Sequence, residues 1–172
     1  MNTIIVDNFF DNFNNIKDSF KSIQLFNQEE YNKKFNDTET WPGVRSGQLH
    51  EESPFLFNLI IKEIYSKFGQ LSFNNRNINV KSHIHLRLAE DDKKDWIHTD
   101  PFFATLMVFL SETNLKSGTC LYDENKNVTD TINFVQNRAL LFDSKKYHKS
   151  LNNYGDNLQN GRLTLNCFIN LI

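Results

Sequence analysis

Val80-Lys81-Ser82-His83-Ile84-His85-Leu86-Arg87-Leu88 alternates strictly. Val80, Ser82, Ile84, Leu86 and Leu88 share one side; Lys81, His83, His85 and Arg87 share the other. A period of two belongs to a strand, whose successive side chains point to opposite faces. From residue 79 onward this period prevails. Residues 105–110 form a continuous apolar run, as expected of a strand covered on both faces. Short strands are predicted at 119–122, 131–135, 139–142, 147–151 and 162–169. Lys116-Ser117-Gly118, Glu124-Asn125-Lys126-Asn127, Gln136-Asn137 and Asn152-Asn153-Tyr154-Gly155-Asp156 supply the turns between them. With Ile4-Ile5-Val6 near the start, about eight strands suggest a sandwich or barrel.

Upstream of residue 79 the pattern is helical. Residues 11–25 are amphipathic, and 28–50 read as polar and irregular, broken by Trp41-Pro42-Gly43. A strong helix follows, with Ser53 as N-cap and Pro54 at its first position. Phe57, Ile60, Ile61, Ile64 and Phe68 recur at helical spacing, and Gly69 is the expected stop. A chain of 172 residues is one domain by size. We expect helical support over about 1–78 and a β core over about 79–172, with the helices covering the sheet that contains 105–110.

Hydrophobic residues at 39% and charged residues at 23% are ordinary for a globular protein, whereas 16 Phe suggest an aromatic interior. Net charge is −2 and the small basic patches, Lys93-Lys94 and Lys145-Lys146, lie among charges of both signs. No nucleic-acid partner is expected. No apolar run is long enough to span a bilayer, so no membrane association is expected. Met1 to Phe10 lacks a basic n-region and reaches Asp7 early, so a cytoplasmic location is expected. Cys120 and Cys167 have no metal-site spacing and are expected reduced and buried.

The chemistry-bearing residues are His98-Thr99-Asp100, His148 and Arg162-Leu163-Thr164. Two imidazoles and one carboxylate without a fourth ligand describe a metal site left partly open, the facial triad that suits non-haem Fe(II). His-x-Asp alone is a common chance match, and a lone His148 is more often structural. Order and context strengthen the metal reading, because the pair ends one predicted strand segment, His148 sits in another and Arg162 opens the last. Arg162 and Thr164 share a strand face, where a guanidinium can clamp a carboxylate. A surface Arg in an ion pair is the alternative. An inward Arg on a strand whose other face is Leu163, Leu165, Cys167 and Ile169 would need a partner, and a bound dicarboxylate would be one.

These residues resemble the signature of Fe(II)/2-oxoglutarate-dependent dioxygenases, in the prolyl-4-hydroxylase-like branch. Ser117-Gly118-Thr119-Cys120-Leu121-Tyr122 is similar to that family's Gly-Gly-Thr turn. Asn137-Arg138-Ala139-Leu140-Leu141-Phe142-Asp143, followed by Tyr147-His148, resembles its stretch before the distal histidine, and Ile5-Val6-Asp7-Asn8-Phe9 resembles a common opening. The resemblance covers most of 79–172. It implies a mainly β protein with N-terminal helices, built as a double-stranded β-helix or jelly roll. It further implies that His98, Asp100 and His148 bind Fe(II), while Arg162 with Thr164 binds the distal carboxylate of 2-oxoglutarate. Members of that branch usually carry Lys there, so Arg162 is a departure. Related halogenases lack the carboxylate ligand, so Asp100 favours hydroxylation, with O2 consumed and succinate and CO2 released. The substrate would be a peptide side chain or small molecule. A non-redox cupin-like jelly roll, an isomerase or sensor, is the alternative; it has no obvious need for Arg162.

Secondary candidates carry two readings each. His83, His85 and Arg87 either line the barrel mouth or face solvent, with Arg87 the best co-substrate contact of the three. Tyr122 either reaches the co-substrate or packs in the core. Arg45, in Trp41-Pro42-Gly43-Val44-Arg45-Ser46, lies either in a lid over an acidic substrate group or in a surface loop around a packed Trp. Trp96 walls the pocket or fills the core. Asp91-Asp92-Lys93-Lys94-Asp95 reads as a solvated turn.

Overall fold

The structure, a computed structural model, describes residues 1–74, 76–91 and 94–172. In chain order the elements are β1 (Ile4–Val6), α1 (Phe13–Lys21), α2 (Gln28–Phe35), β2 (Val44–Arg45), α3 (Leu49–Glu52), α4 (Pro54–Phe73), β3 (Ile78–Arg87), β4 (Ala104–Phe109), β5 (Asn114–Tyr122), β6 (Val128–Phe134), β7 (Ala139–Asp143), β8 (Tyr147–Leu151) and β9 (Arg162–Leu171). A six-stranded antiparallel sheet runs β1-β7-β4-β9-β3-β2, and a three-stranded one runs β6-β5-β8. The chain crosses repeatedly from one sheet to the other, as in a jelly roll.

Register assigns the two faces of the large sheet. Ile84 lies opposite Leu165 and Leu106 opposite Cys167, so these side chains share the outer face. They join Phe10, Phe20, Ile60, Ile64 and Phe68 of the helical layer in the largest core cluster. The helices therefore cover this sheet, which is why β4 is buried along its whole length. The aromatic interior begins here, with Phe9–Phe10 and Phe10–Phe20 ring centroids at 4.7 and 5.5 Å. Truncating one such buried ring to Ala typically removes about 3–5 kcal/mol. The inner face carries Met107, Phe109, Leu140 and Phe142, which meet Leu121, Ile132 and Phe134 of the small sheet in a second cluster. That second cluster fills one end of the roll and leaves the other end to polar side chains.

Three local expectations need correction. Helix α4 runs through Gly69 to Phe73 and stops at Asn74, whose φ of 48° is left-handed and whose N–H donates to the Gly69 carbonyl. Ser53 does occupy the N-cap with Pro54 at the first turn, but its hydroxyl caps nothing. The stretch 28–50 is not irregular. It holds α2, α3 and β2, and α2 starts with a capping box in which the Asn27 side chain accepts from Glu30 N–H while Glu30 accepts from Asn27 N–H. Cys120 and Cys167 are both free and buried. Among the described residues no helix is long and apolar enough to cross a membrane.

Candidate metal centre

His98 and Asp100 sit in the segment entering β4, and His148 lies on β8. Antiparallel bridging joins them: His98 N–H donates to the His148 carbonyl at 3.1 Å, and His148 N–H returns the bond at 2.8 Å. The backbone itself therefore sets the two imidazoles side by side, with ring centroids 4.3 Å apart. One ligand atom from each of His98, Asp100 and His148 lies within 4.8 Å of the other two. Asp100 Oδ2 is 3.4 Å from His148 Nε2, and Asp100 Oδ1 is 4.0 Å from His98 Nε2.

The tautomers follow from what each ring touches. His98 Nδ1 lies 2.9 Å from the Trp96 carbonyl, and His148 Nδ1 lies 3.0 Å from the Lys146 carbonyl. A carbonyl only accepts, so in each neutral ring Nδ1 carries the hydrogen and Nε2 offers its lone pair to the site. Burial, reinforced by the neighbouring His148, pushes the His98 pKa below its ordinary value and favours the neutral ring that a metal needs. Burial alone would raise the Asp100 pKa. Its close contact with His148 and the hydrogen bond from the Thr105 hydroxyl outweigh it and hold Asp100 below its ordinary value. Thr105 Oγ1 donates to Asp100 Oδ2 at 2.9 Å and is itself 2.7 Å from Ser144 Oγ. The Thr105–Ser144 pair thus fixes the carboxylate rotamer. Its signal in sequence is faint: a Thr at the start of a fully apolar run.

A cavity of about 190 Å³ opens beside these ligands and reaches Arg162. The Arg162 side chain is 1% exposed, so the surface ion-pair reading is excluded. Its Nη2 donates to the Gly118 carbonyl at 3.0 Å and lies 3.4 Å from Thr119 Oγ1, whereas its Nε has no partner among the described residues. No carboxylate among the described residues stands within ion-pair distance of it. Burial lowers its pKa to about 10, which leaves it charged at neutral pH. Gly118 is required beneath it, because a Cβ there would run into the Ile132 carbonyl.

The remaining candidates divide. His83 and His85 line the cavity, so the polar row of β3 faces the barrel interior and not solvent. His83 Nδ1 lies 2.9 Å from the Ser46 carbonyl, and burial brings its pKa down to about 4. His85 Nε2 lies 2.6 Å from the Pro42 carbonyl, and burial brings its pKa down to about 3. Arg45 also lines the cavity. It is stacked between Tyr31 and Trp41 at 4.2 and 4.3 Å and paired with Asp37 and Glu39. Trp41 is both a packed core ring and part of the cavity wall, and Trp96, half-exposed, forms part of the rim.

Three candidates are not brought to the cavity wall. Arg87 is buried on the right face but its guanidinium is taken by Asp91 and Asp95. Those two carboxylates are mostly buried, so they are not part of a solvated turn; Asp92 and Lys93, read with them, lie outside the described residues. Thr164 shares Arg162's face, but its hydroxyl donates to the His85 carbonyl at 3.4 Å. Tyr122 is one residue out of phase with the inward Thr119 and Leu121, so the period of two turns it outward. Asn166, overlooked in the sequence, does line the cavity. Continuing the alternation Arg162, Thr164, Asn166, Phe168 would have found it.

No protein-family model and no curated protein sequence matches the chain. Solved structures do. The alpha-ketoglutarate-dependent epimerase SnoN of nogalamycin biosynthesis superposes with a TM-score of 0.69 at 12% identity, over 97% of this chain and 76% of its own. A 2OG-Fe(II) oxygenase-family oxidoreductase from Burkholderia pseudomallei gives 0.69 at 10% identity, covering 98% and 84%. A prolyl-4-hydroxylase from Pseudomonas putida gives 0.62 at 13% identity, covering 99% and 92%. The fold is therefore the double-stranded β-helix shared by 2-oxoglutarate oxygenases, including prolyl-4-hydroxylases.

Proposed function

We propose that this protein is a non-haem Fe(II)- and 2-oxoglutarate-dependent dioxygenase. It hydroxylates a peptide side chain or small molecule with O2 and releases succinate and CO2. One observation carries the reading: a single cavity holds an open three-ligand set and a buried guanidinium that, among the described residues, has no carboxylate of its own. SnoN, which shares the fold, has been solved with Fe3+, alpha ketoglutarate and nogalamycin RO.

The donor set suits the metal. His98, Asp100 and His148 would hold ferrous iron through Nε2, a carboxylate oxygen and Nε2, leaving its other positions exchangeable. Iron supplies the reaction with O2 that no side chain can perform. The chain supplies orientation. Arg162, with its orphaned Nε and the Thr119 hydroxyl beside it, would take the distal carboxylate of 2-oxoglutarate in a charge-assisted contact. Thr105 keeps Asp100 aimed and ionised. Met107 and Phe168 wall the space between, where exclusion of water strengthens each polar contact.

The test is Fe(II)-dependent conversion of 2-oxoglutarate to succinate by the purified protein, with slow uncoupled turnover expected before any substrate is added. Asp100→Ala should abolish it. A protein that binds iron yet never consumes 2-oxoglutarate would be a non-redox jelly roll, and the dioxygenase reading would fall.

A further inference from the structure

We propose that Trp41, His85 and Asn166 form a second subsite in this cavity, which binds a neutral amide of the substrate. The site is a feature of the chain alone; calling its ligand the substrate rests on the dioxygenase reading.

His85 fixes the geometry. It lies on the inner face of β3, opposite Thr164 of β9. Its Nε2 is 2.6 Å from the Pro42 carbonyl, so Nε2 carries the hydrogen. The buried ring is neutral at physiological pH, so Nδ1 is a bare lone pair that can only accept. Asn166 Nδ2 stands 3.4 Å from it and donates. That bond orients the Asn166 amide, because the flipped form would set Oδ1 against the Nδ1 lone pair. Asn166 Oδ1 is consequently turned away from His85, buried and without a hydrogen-bond partner among the described residues. Against His85 also stands Trp41, edge-on, with ring centroids 6.2 Å apart and planes at 89°. Trp41 is 7% exposed, and its Nε1–H also has no partner among the described residues. Both residues line the cavity that holds the metal ligands.

One unmet donor and one unmet acceptor thus accompany a neutral ring. A buried polar group left unpaired is unfavourable, so the pair selects a ligand that satisfies both. A carboxylate would suit Trp41 Nε1–H but oppose Asn166 Oδ1. An ammonium would suit Asn166 Oδ1 but offer Trp41 nothing to accept its hydrogen. Ionised 2-oxoglutarate is a pure acceptor and cannot satisfy Asn166. An amide presents an acceptor and a donor without net charge. The amide can be a primary carboxamide on a small molecule or a peptide bond; the chemistry is shared.

The chain has two tryptophans, so its 15N-indole spectrum holds two signals. Trp41→Phe assigns them, and half-exposed Trp96 serves as the internal control. The protein would be loaded with diamagnetic Zn(II) and 2-oxoglutarate. It would then be titrated with hexanamide, N-acetylleucine methylamide, hexanoate and hexylammonium. We expect a saturable shift of the Trp41 signal with at least one amide and with neither ion. Preference for hexanamide would indicate a carboxamide, and preference for the methylamide a peptide bond. Asn166→Ala should weaken that binding about tenfold, and Asn166→Asp should shift preference to hexylammonium. The inference is overturned if neither amide moves the Trp41 signal, if hexanoate moves it equally, or if 2-oxoglutarate alone saturates the shift. The wild-type titration decides this even if a variant does not fold. An unmoved Trp41 in protein that still makes succinate with Fe(II) sinks the subsite only; no succinate sinks the dioxygenase reading.

Discussion

Burying a guanidinium is costly unless charge and hydrogen bonds are met, and Arg162 meets that demand only in part. Its Nη2 reaches the Gly118 carbonyl, but among the described residues no carboxylate pairs with it and Nε is orphaned. A ligand carboxylate would complete it. Arg162→Ala should therefore raise the KM for 2-oxoglutarate at least tenfold, about the worth of one charge-assisted hydrogen bond, while Fe(II) still stabilises the fold. Arg162→Lys should recover part of the affinity as a point charge without the fork. Loss of iron binding in Arg162→Ala, measured by the Fe(II)-induced change in Tm, would instead assign the residue a structural role. His83 and His85 make a different demand. Burial lowers their pKa values to about 4 and about 3, whereas an unfolded histidine titrates near 6.5. Above pH 6.5 both are neutral whether folded or not, and stability is indifferent to pH on their account. As pH falls from 6.5 toward 4, the unfolded chain takes up protons that the folded chain refuses. Stability should then drop by up to about 1.4 kcal/mol per pH unit for each histidine. Urea midpoints of the apo protein at pH 7, 6 and 5 would show the slope, and His83→Gln should remove one proton from it. An unchanged slope would mean that His83 is protonated within the fold.

Strands in this chain carry their function through phase. On β9 the period of two sends Arg162, Asn166 and Phe168 into the cavity and Leu163, Leu165 and Cys167 into the helical core. On β5 it sends Thr119 inward and Tyr122 outward. Gly118, also on β5, allows that strand to pass close to the Ile132 carbonyl while its own carbonyl receives Arg162. Gly118→Ala forces β5 and β6 apart. It should cost about 1–3 kcal/mol, as overpacking does, and also weaken 2-oxoglutarate binding, read by urea denaturation and by KM. A stability loss with KM unchanged would separate Gly118 from the Arg162 site. Strand phase was legible from one sequence, and with it the β core; the meeting of His98, Asp100 and His148 was legible from their motif and order in the chain. What was not legible involved partners distant in the chain. Alternation put Arg87 on the inner face, but only the fold shows Asp91 and Asp95 taking its charge. Helix α4 passes Gly69 because Ile60, Ile64 and Phe68 bury against the sheet, and that burial outweighs a local stop signal. Helix α2 was missed although Asn27 and Glu30 spell its capping box, because its polar composition hides the single buried Tyr31.

At the scale of the molecule, the candidate metal centre lies where the two sheets must be held together. His98 and Asp100 precede β4 of the six-stranded sheet, and His148 belongs to β8 of the three-stranded one. Besides the His98–His148 bridge, the Asp100 N–H donates to the Ser144 carbonyl at 2.8 Å, so the ligands sit on a seam already stitched by backbone. Three side chains from both sides of that seam converging on one cation would add a cross-link that the unfolded chain lacks. Binding to the folded state alone stabilises by RT ln(1 + [L]/Kd), about 2.7 kcal/mol at a hundredfold excess over Kd. For a domain of this length that corresponds to a rise in Tm of roughly 5–11 °C. Anaerobic Fe(II) should produce it, and Asp100→Ala should lose most of it, because the remaining imidazoles offer two ligands in place of three. Hydrogen exchange should report where the gain falls, with amides of β8 and of the segment entering β4 slowing more than those of α4. A uniform slowing, or none at the seam, would show that iron binds elsewhere and that the three side chains meet for another reason.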